Sequence, residues 1–359
     1  MYSSKLPLVL TLVIAGLVVA LWSGPEDSVF GPAELDHTAL RPARLTGRVL
    51  NASDRLGFPG AIERVGDYLV IADAMGDPAL HVLDPATGRL VGSFGRGGEG
   101  PGEFRAPRSL DPVPGQPAFW VFDIELQRFT RIELASLVRS DPLDRARTLR
   151  LVASAPATDP VWLGERILAP GFFLDGRLAE FDATGHQTRF VGPLPPNRWR
   201  VPANILQHAY QGRMKPRPDR ARLVLGNRHA GAIEIYRADG TLLRRSAGPF
   251  QFEPRFGVRQ TELGPAMTSG EDLRFGYIDV AATEERIYAL FSGRTRAGFP
   301  GRANYGEYVH VFDWEGNFLE ALRLDTEAFI LTVDEENKTL YAVRHLPAPA
   351  VLSYPLPLD

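Results

Sequence analysis

The chain has 359 residues, of which 44% are hydrophobic and 23% charged, so it is long enough to bury a large core. Its formal net charge of −3 provides no attraction to nucleic acid or to an anionic membrane surface, and we expect no nucleic-acid partner. Because the sequence contains no cysteine, disulfides, thiolate metal sites and thiol nucleophiles are excluded.

An uncharged apolar segment of 17 residues, from Leu6 to Trp22, follows a single cation at Lys5. Its length is at the lower limit for spanning a hydrocarbon core of about 30 Å, and it exceeds the usual signal-peptide core of about 7–15 residues. Leu21 and Trp22 interrupt the small residues that a cleavage site needs. We therefore expect residues 1–24 to form a membrane anchor, with a signal segment as the alternative.

The position of Lys5 also predicts the side of the membrane. Positively charged flanks of an apolar segment stay in the cytoplasm, so the remainder of the chain is expected on the outer side. We expect the protein in the bacterial cell envelope, attached to the cytoplasmic membrane through residues 6–22 and facing the periplasm or the exterior. Residues 25–42 are rich in Pro and Gly and are interpreted as a linker.

The segment from residue 43 to residue 359 repeats one pattern six times, an apolar β-run, a turn built on Asp and Gly, and another apolar run. In such turns Asp caps the backbone and Gly supplies a positive φ. The clearest turns are Asp84–Gly88, Asp182–Gly185, Ala238–Gly240 and Asp313–Asn317. The second β-run of each unit is expected at Tyr68–Asp73, Phe119–Asp123, Arg166–Ala169, Ala221–Leu225, Ile287–Leu290 and Leu340–Val343.

Units of about 50 residues predict an all-β fold, a six-bladed β-propeller of four-stranded antiparallel blades behind an N-terminal apolar helix. Two packed β-sandwiches are the alternative, and the regular spacing argues against them. The last unit is one strand short, so we expect Ala43–Leu50 to complete it and to cover an apolar sheet edge. Gln207–Asp219 and Gln251–Asp272 lack periodicity and are predicted to be long loops.

Two groups of motifs resemble known propeller families. Gly92–Pro107 is similar to the crossover between blades of NHL-repeat propellers, where glycines permit a tight connection. Four later segments resemble the TolB-like six-bladed propellers; these segments are Tyr277–Val280, Arg286–Leu290, His310–Asn317 and Val333–Lys338. Members of that family are mostly exported and functionally uncharacterised. Many of those relatives look like lipoproteins with a cysteine after the signal sequence. Since this chain has no cysteine, its apolar segment is left to act as the anchor.

Common catalytic motifs are missing from the sequence. The glycine-rich run Gly95–Gly102 lacks both Gly-Lys-Ser/Thr and a following amphipathic helix, so a crossover is favoured over a phosphate loop. No Gly-x-Ser-x-Gly is present, and the seven histidines show no His-Glu-x-x-His spacing.

Two sets of polar residues fall near the expected channel ends. Asp73, Asp123 and Asn204 are similar in type to the ligands with which six-bladed lactonases hold a divalent cation, although Asp at a strand end more often caps a turn. The second set is a group of arginines that would form a funnel for a carboxylate or phosphate if they converge. With Asn204, the candidate ligand-binding residues are Arg108, Arg228, Arg274, Arg294 and Arg344.

These observations favour a monomeric, non-catalytic binding or scaffolding propeller without a cofactor. Its partner would be a protein, a peptide, a glycan or a small anion, captured at one mouth of the channel. The alternative is a metal-dependent hydrolase of the lactonase or esterase type, which would need a divalent cation. Three converging carboxylate or amide oxygens would favour the hydrolase, whereas a channel lined with Arg or plugged by side chains would oppose it.

Overall fold

The computed structural model describes residues 32–139, 143–262 and 264–357. They form six four-stranded antiparallel sheets arranged as a six-bladed propeller. From the innermost strand outward, blade 1 has Pro59–Val65, Tyr68–Asp73, Leu80–Leu83 and Leu90–Phe94; blade 2 has Pro107–Pro112, Ala118–Asp123, Arg128–Glu133 and Arg147–Arg150; blade 3 has Val161–Trp162, Arg166–Pro170, Leu178–Asp182 and Gln187–Val191. Blade 4 has Gly212–Pro216, Arg222–Asn227, Ala232–Arg237 and Leu242–Ala247; blade 5 has Tyr277–Ala282, Arg286–Phe291, Gly306–Asp313 and Phe318–Ala328; blade 6 has Ile330–Asp334, Thr339–Arg344, Ala350–Pro355 and Arg48–Asn51.

The remaining elements are short and lie between the blades or at their edges. The helices are Leu134–Val138 and Ala203–Ala209, with 3-10 turns at Thr38–Leu40 and Leu143–Arg145. The extra strands are Ala43–Leu45, the pair Arg96–Gly97 and Glu103–Phe104, and the pair Gly257–Thr261 and Gly264–Thr268. Within the described ranges, no helix has the length and apolar character needed to cross a membrane. The predicted anchor and its apolar helix lie outside the described residues.

All six second strands predicted from the sequence occur in the structure as second strands. The four Asp-Gly turns each connect the third strand of a blade to its fourth. Asp84 shows the chemistry of these turns, because its carboxylate accepts the N–H of Ala86 at 2.9 Å while Gly88 adopts a φ of 76°. Local turn chemistry therefore sets the repeat of the fold.

Only the second half of the predicted closing segment Ala43–Leu50 completes blade 6 and closes the ring. Its first half, Ala43–Leu45, instead pairs in parallel with Phe318–Ala328, the outermost strand of blade 5. Arg48–Asn51 pairs antiparallel with Ala350–Pro355, and Val49 stands opposite Leu352. Leu50 is buried in the core between blades 6 and 1. Each sheet is apolar on both faces, so blade 6 needs this strand to cover its outer edge.

We expect a chain that starts at residue 53 to lose about 3 kcal/mol or more of unfolding free energy. The shorter chain loses the burial of Leu50 and the hydrogen bonds of the closing strand. A chain that starts at residue 47 retains Arg48–Asn51 and serves as the control. Urea unfolding measures both, and equal midpoints would contradict the closing role of this strand.

Residues 32–40, which the sequence assigned to the linker, pack on blade 5. Leu35 donates its N–H to the carbonyl of Gly293 at 3.3 Å. The ring of His37 stacks on Tyr308 with 3.6 Å between centroids and contacts the imidazole of His310. Part of the expected linker is thus a packed strap.

The two predicted long loops are different in the structure. Gln207–Asp219 contains the end of helix Ala203–Ala209 and the innermost strand of blade 4, Gly212–Pro216. This strand lacks an alternating apolar pattern because its side chains Arg213 and Lys215 donate hydrogen bonds to backbone carbonyls of blade 2 across the channel. Gln251–Asp272 is irregular only in part, since it carries the strand pair Gly257–Thr261 and Gly264–Thr268.

Candidate functional site

The innermost strands surround the channel, and each begins at the same end of it. We call the end where these strands begin the upper mouth and the end where they finish the lower mouth. Neighbouring innermost strands pack against each other around the ring, and Trp162 of blade 3 donates its backbone N–H to the carboxylate of Asp111 in blade 2 at 2.8 Å. Blade 4 therefore stands opposite blade 1.

Asp73 and Asp123 cap turns, as the sequence favoured. The Asp73 carboxylate accepts the backbone N–H groups of Gly57 and Phe58 at 2.6 and 2.7 Å. Asp123 accepts those of Arg105 and Ala106 at 2.6 and 3.0 Å. Both carboxylates are satisfied within their own blade connections.

The glycine-rich run connects blade 1 to blade 2. Arg96–Gly97 pairs in parallel with Glu103–Phe104. The Glu103 carboxylate accepts the N–H of Gly100 at 2.8 Å and the Nε–H of Arg96 at 2.7 Å. The Glu103 carboxylate thus occupies N–H donors that a bound phosphate would need. The glycine-rich segment is therefore the predicted crossover between the two blades.

The side chain of Arg213 crosses the channel near the upper mouth. Arg213 belongs to blade 4, and its guanidinium donates to the carbonyl of Gly60 on the opposite blade and to that of Arg108 at 2.9 Å. Two buried carboxylates flank it, Asp159 at 3.5 Å and Asp279 at 3.8 Å. Arg213 is only 3% exposed and bridges blades 1 to 5, so it plugs the channel.

A second cation crosses the channel one layer below. Lys215, two residues farther along the same strand, forms an ion pair with Glu63 of blade 1. The other oxygen of Glu63 accepts the hydroxyl of Thr332 from blade 6 at 2.9 Å. Burial raises the pKa of Glu63, although the charge of Lys215 opposes that effect. The two crossing cations close the channel to a ligand that would pass through it.

Two further arginines stand beside Arg213 at the upper mouth. Arg108 and Arg228 are partly buried, and neither guanidinium has a hydrogen bond or an ion pair with any residue in the described part of the chain. The buried Nε of Arg108 and the buried Nη2 of Arg228 are both unsatisfied. A buried donor without an acceptor costs about 1–3 kcal/mol, more when it is charged, so these groups provide free capacity to bind an anion.

Local backbone features fix both arginines in place. Ser109 pairs with Phe122 and Pro107 with Asp123, so Arg108 is the extra residue of a β-bulge. Arg228 follows the second strand of blade 4 and donates its N–H to the carbonyl of Gln211 at 2.8 Å.

A buried cluster also supports the strand end before Arg228. The Asn227 side chain donates to the carbonyl of Ala232 at 3.0 Å and accepts Nη2 of Arg177 at 3.0 Å. Arg177 in turn forms an ion pair with Glu234 at 2.9 Å. The upper mouth is thus built on a rigid base.

Electrostatic repulsion acts among the three arginines. The charge of Arg213, together with burial, lowers the pKa of Arg108 to about 9. Burial and the charge of Arg213 lower the pKa of Arg228 to about 10. Both remain protonated at neutral pH, and Asp159 and Asp279 leave one of the three positive charges uncompensated. The upper mouth therefore favours an anion.

His229 lies directly beside this cluster and adds no charge to it. Burial and the neighbouring Arg228 lower its pKa to about 3, so its imidazole is neutral at physiological pH. The ring is 5% exposed, leaves Nδ1 without a partner, and contacts Phe275 edge to face at 5.2 Å.

The other four candidate residues have different surroundings. Arg274 donates to the carbonyl of Pro32 at 2.7 Å, and Arg294 pairs with Glu34 and Glu327, each at 2.6 Å. These two arginines hold the strap on blade 5. Arg344 ends the second strand of blade 6, and its buried Nε, like that of Arg108, has no acceptor among the described residues. Asn204 is a partly buried residue of helix Ala203–Ala209.

Sequence reasoning missed Arg213, Lys215 and their carboxylate partners. The available signal was the alternation of basic residues in Gly212–Pro216, a segment within the predicted loop Gln207–Asp219. Over the ranges 32–139, 143–262 and 264–357, no group of three or more His, Asp or Glu side chains could hold a metal ion. The hydrolase alternative therefore gains no supporting observation.

The model of the family described as TolB-like 6-blade propeller-like matches residues 46–336. The chain belongs to the TolB-like six-bladed propeller family. No curated protein is similar enough in sequence to match this TolB-like propeller.

Solved structures share the fold of this TolB-like propeller at low identity. A candidate exported protein from Bacteroides fragilis NCTC 9343 has a TM-score of 0.50 and 12% identity, over 86% of this chain and 94% of its own. U3-55K has a TM-score of 0.50 and 10% identity, over 86% of this chain and 98% of its own. The Cps50 (Swd1) β-propeller domain of Myceliophteria thermophila is 14% identical over 87% of this chain and all of its own, with a TM-score of 0.49. At these identities, only the fold is common.

Proposed function

We propose that this TolB-like propeller is a non-catalytic binding module that captures the anionic group of a peptide, a glycan or a small molecule at its upper mouth. The observation that carries the proposal is the pair Arg108 and Arg228, two cations without a partner among the described residues. A carboxylate or phosphate would supply acceptors for their unsatisfied donors and would reduce their repulsion with Arg213. The single uncompensated charge favours a monoanion such as a carboxylate.

The plugged channel supports binding at the mouth. Because Arg213 and Lys215 cross to the opposite blade, a ligand would enter and leave from one side. The bulge at Arg108 and the buried cluster around Asn227 fix the backbone positions from which both arginine side chains extend before a ligand binds. Such preorganisation lowers the entropic cost of binding.

Thermal unfolding of the full chain in acetate, phosphate or chloride at constant ionic strength tests this function. We expect acetate to raise the free energy of unfolding above its value in chloride. An anion present at about 100 times its Kd adds about 2.7 kcal/mol. Equal unfolding temperatures in the three salts, up to molar concentration, would refute an anion site.

We further propose that the propeller acts outside the cytoplasm, attached through the apolar segment Leu6–Trp22, and that it is a monomer. The uncharged segment behind Lys5 supports this location. Cell fractionation and protease treatment of spheroplasts compare the full chain with one that lacks residues 1–24. The proposal requires the full chain in the membrane fraction and accessible to external protease; a full chain in the cytoplasmic fraction would contradict it.

A further inference from the structure

A pocket lies on the opposite side of the propeller from Arg108. It occupies about 510 Å³ between blades 2 and 3, near the lower mouth. Its walls include Pro112 and Pro114 at the end of the innermost strand of blade 2, whereas Arg108 stands at the beginning of that strand. At about 3.3 Å per residue, the two positions are more than 10 Å apart.

The floor of this pocket is aromatic. Trp120 of blade 2 and Trp162 of blade 3 stack with 4.5 Å between ring centroids and an angle of 17° between their planes. Trp120 is 3% exposed, whereas Trp162 is partly exposed. Trp162, the more exposed member of this stack, presents an indole surface on which a ring can pack, and Trp120 supports it from the core.

A row of arginines borders the indoles. In the sheet register Arg131 stands opposite both Trp120 and Arg147, so two guanidinium groups are direct cross-strand neighbours. Like charges in this position destabilise a sheet unless an anion stands between or beside them. Arg131 is paired with Glu133, whereas Arg147 is exposed and has no hydrogen bond or ion pair with a residue that the structure describes.

The guanidinium of Arg147 is directed at the aromatic floor. Its central carbon lies 5.7 Å from the centroid of the Trp120 ring. A third cation, Arg220, closes the side nearest the lower mouth by an ion pair with Asp111 at 2.6 Å, and its buried Nε has no acceptor. The three arginines of the pocket face two carboxylates, those of Asp111 and Glu133, so the pocket carries a positive charge.

We propose that this pocket, which we call the indole pocket and define by Trp120, Trp162, Arg131, Arg147 and Arg220, binds a ring that carries a carboxylate. The ring packs on the indoles and the carboxylate pairs with Arg147. An aromatic acid and an acidic sugar share this chemistry, since both present a flat face beside an anionic group. The indole pocket is separate from the upper mouth, and its ligand is independent of the function proposed above.

Fluorescence titration of the full chain in a mild non-ionic detergent tests the indole pocket. Benzoate and glucuronate serve as acidic probes, and benzyl alcohol and glucose are their neutral counterparts. We expect an acidic probe to change the tryptophan emission with saturation, and the change to be absent in Trp162→Phe. Arg147→Gln should weaken the binding about tenfold or more, because it removes the charged partner of the carboxylate. Arg150→Gln, on the same strand but outside the pocket, should bind like the parent chain.

The pattern across variants separates this proposal from that for the upper mouth. Saturable binding that is weakened about tenfold or more in Arg147→Gln and retained in Arg108→Met supports the indole pocket, and the probe that binds identifies an aromatic acid or an acidic sugar. Binding that is lost in Arg108→Met and retained in Arg147→Gln assigns the ligand to the upper mouth and overturns the indole pocket. The absence of binding by both acids, or equal binding of acidic and neutral rings, overturns it as well.

Discussion

Replacement of Arg213 by methionine is expected to remove about 3–5 kcal/mol from the free energy of unfolding. The change leaves Asp159 and Asp279, which are 1% and 4% exposed, without their cation. It also removes the donors that reach the carbonyls of Gly60 and Arg108 across the channel. Breaking a buried pair from one side costs more than the pair contributes, because the two carboxylates stay buried without the one cation that, among the described residues, lies within 4 Å of them.

Urea unfolding measures this loss against a matched control. Arg244→Met changes an exposed arginine on the outermost strand of the same blade and should stay within about 0.5 kcal/mol of the parent chain. The double variant Arg213→Met/Asp279→Asn should be more stable than Arg213→Met alone, because it removes one unpaired charge. If Arg213→Met unfolds at the same urea concentration as Arg244→Met, the side chain does not hold the blades together.

The double variant Arg108→Met/Arg228→Met should lose the anion response and yet unfold at a higher temperature when no anion is bound. Both guanidinium groups are partly buried, unpaired within the described residues, and repelled by Arg213. Relief of that repulsion should add on the order of 1 kcal/mol to the stability of the ligand-free protein. Opposite effects on stability and binding are the mark of a site that is maintained for its ligand.

Thermal unfolding with and without acetate gives both quantities in one experiment. Arg44→Met, a change at an exposed arginine of Ala43–Leu45, is the control and should keep the acetate response. A double variant that keeps the full response places the anion elsewhere. A double variant that is less stable without acetate and has lost the response assigns a structural role to the two arginines.

The sequence by itself determined the repeat and the closure of this propeller. Asp84 and Gly88 form their turn through contacts within five residues of chain, and the second strands are apolar along nearly their whole length because both of their faces are buried. These signals are local, so a sequence shows them directly. The shortage of one strand in the last unit was also visible, and it correctly placed Arg48–Asn51 beside Ala350–Pro355.

The innermost strand of blade 4 escaped prediction because it faces other side chains instead of an apolar core. Because it contains Arg213 and Lys215, the sequence of Gly212–Pro216 has the polar character of a surface loop. Only the closed ring brings Gly60 and Glu63 opposite these cations, at separations of about 150 residues along the chain.

Tertiary structure also decided which arginines can act together. Arg108, Arg228 and Arg294 are alike in sequence, each within three residues of a strand terminus at the upper mouth. Arg294 is neutralised by Glu34 of the strap, whereas Arg108 and Arg228 are left beside Arg213. The sequence determines where each arginine lies within its own blade. The packing of the six blades determines which carboxylates contact that arginine, because most of these carboxylates come from other blades or from the strap.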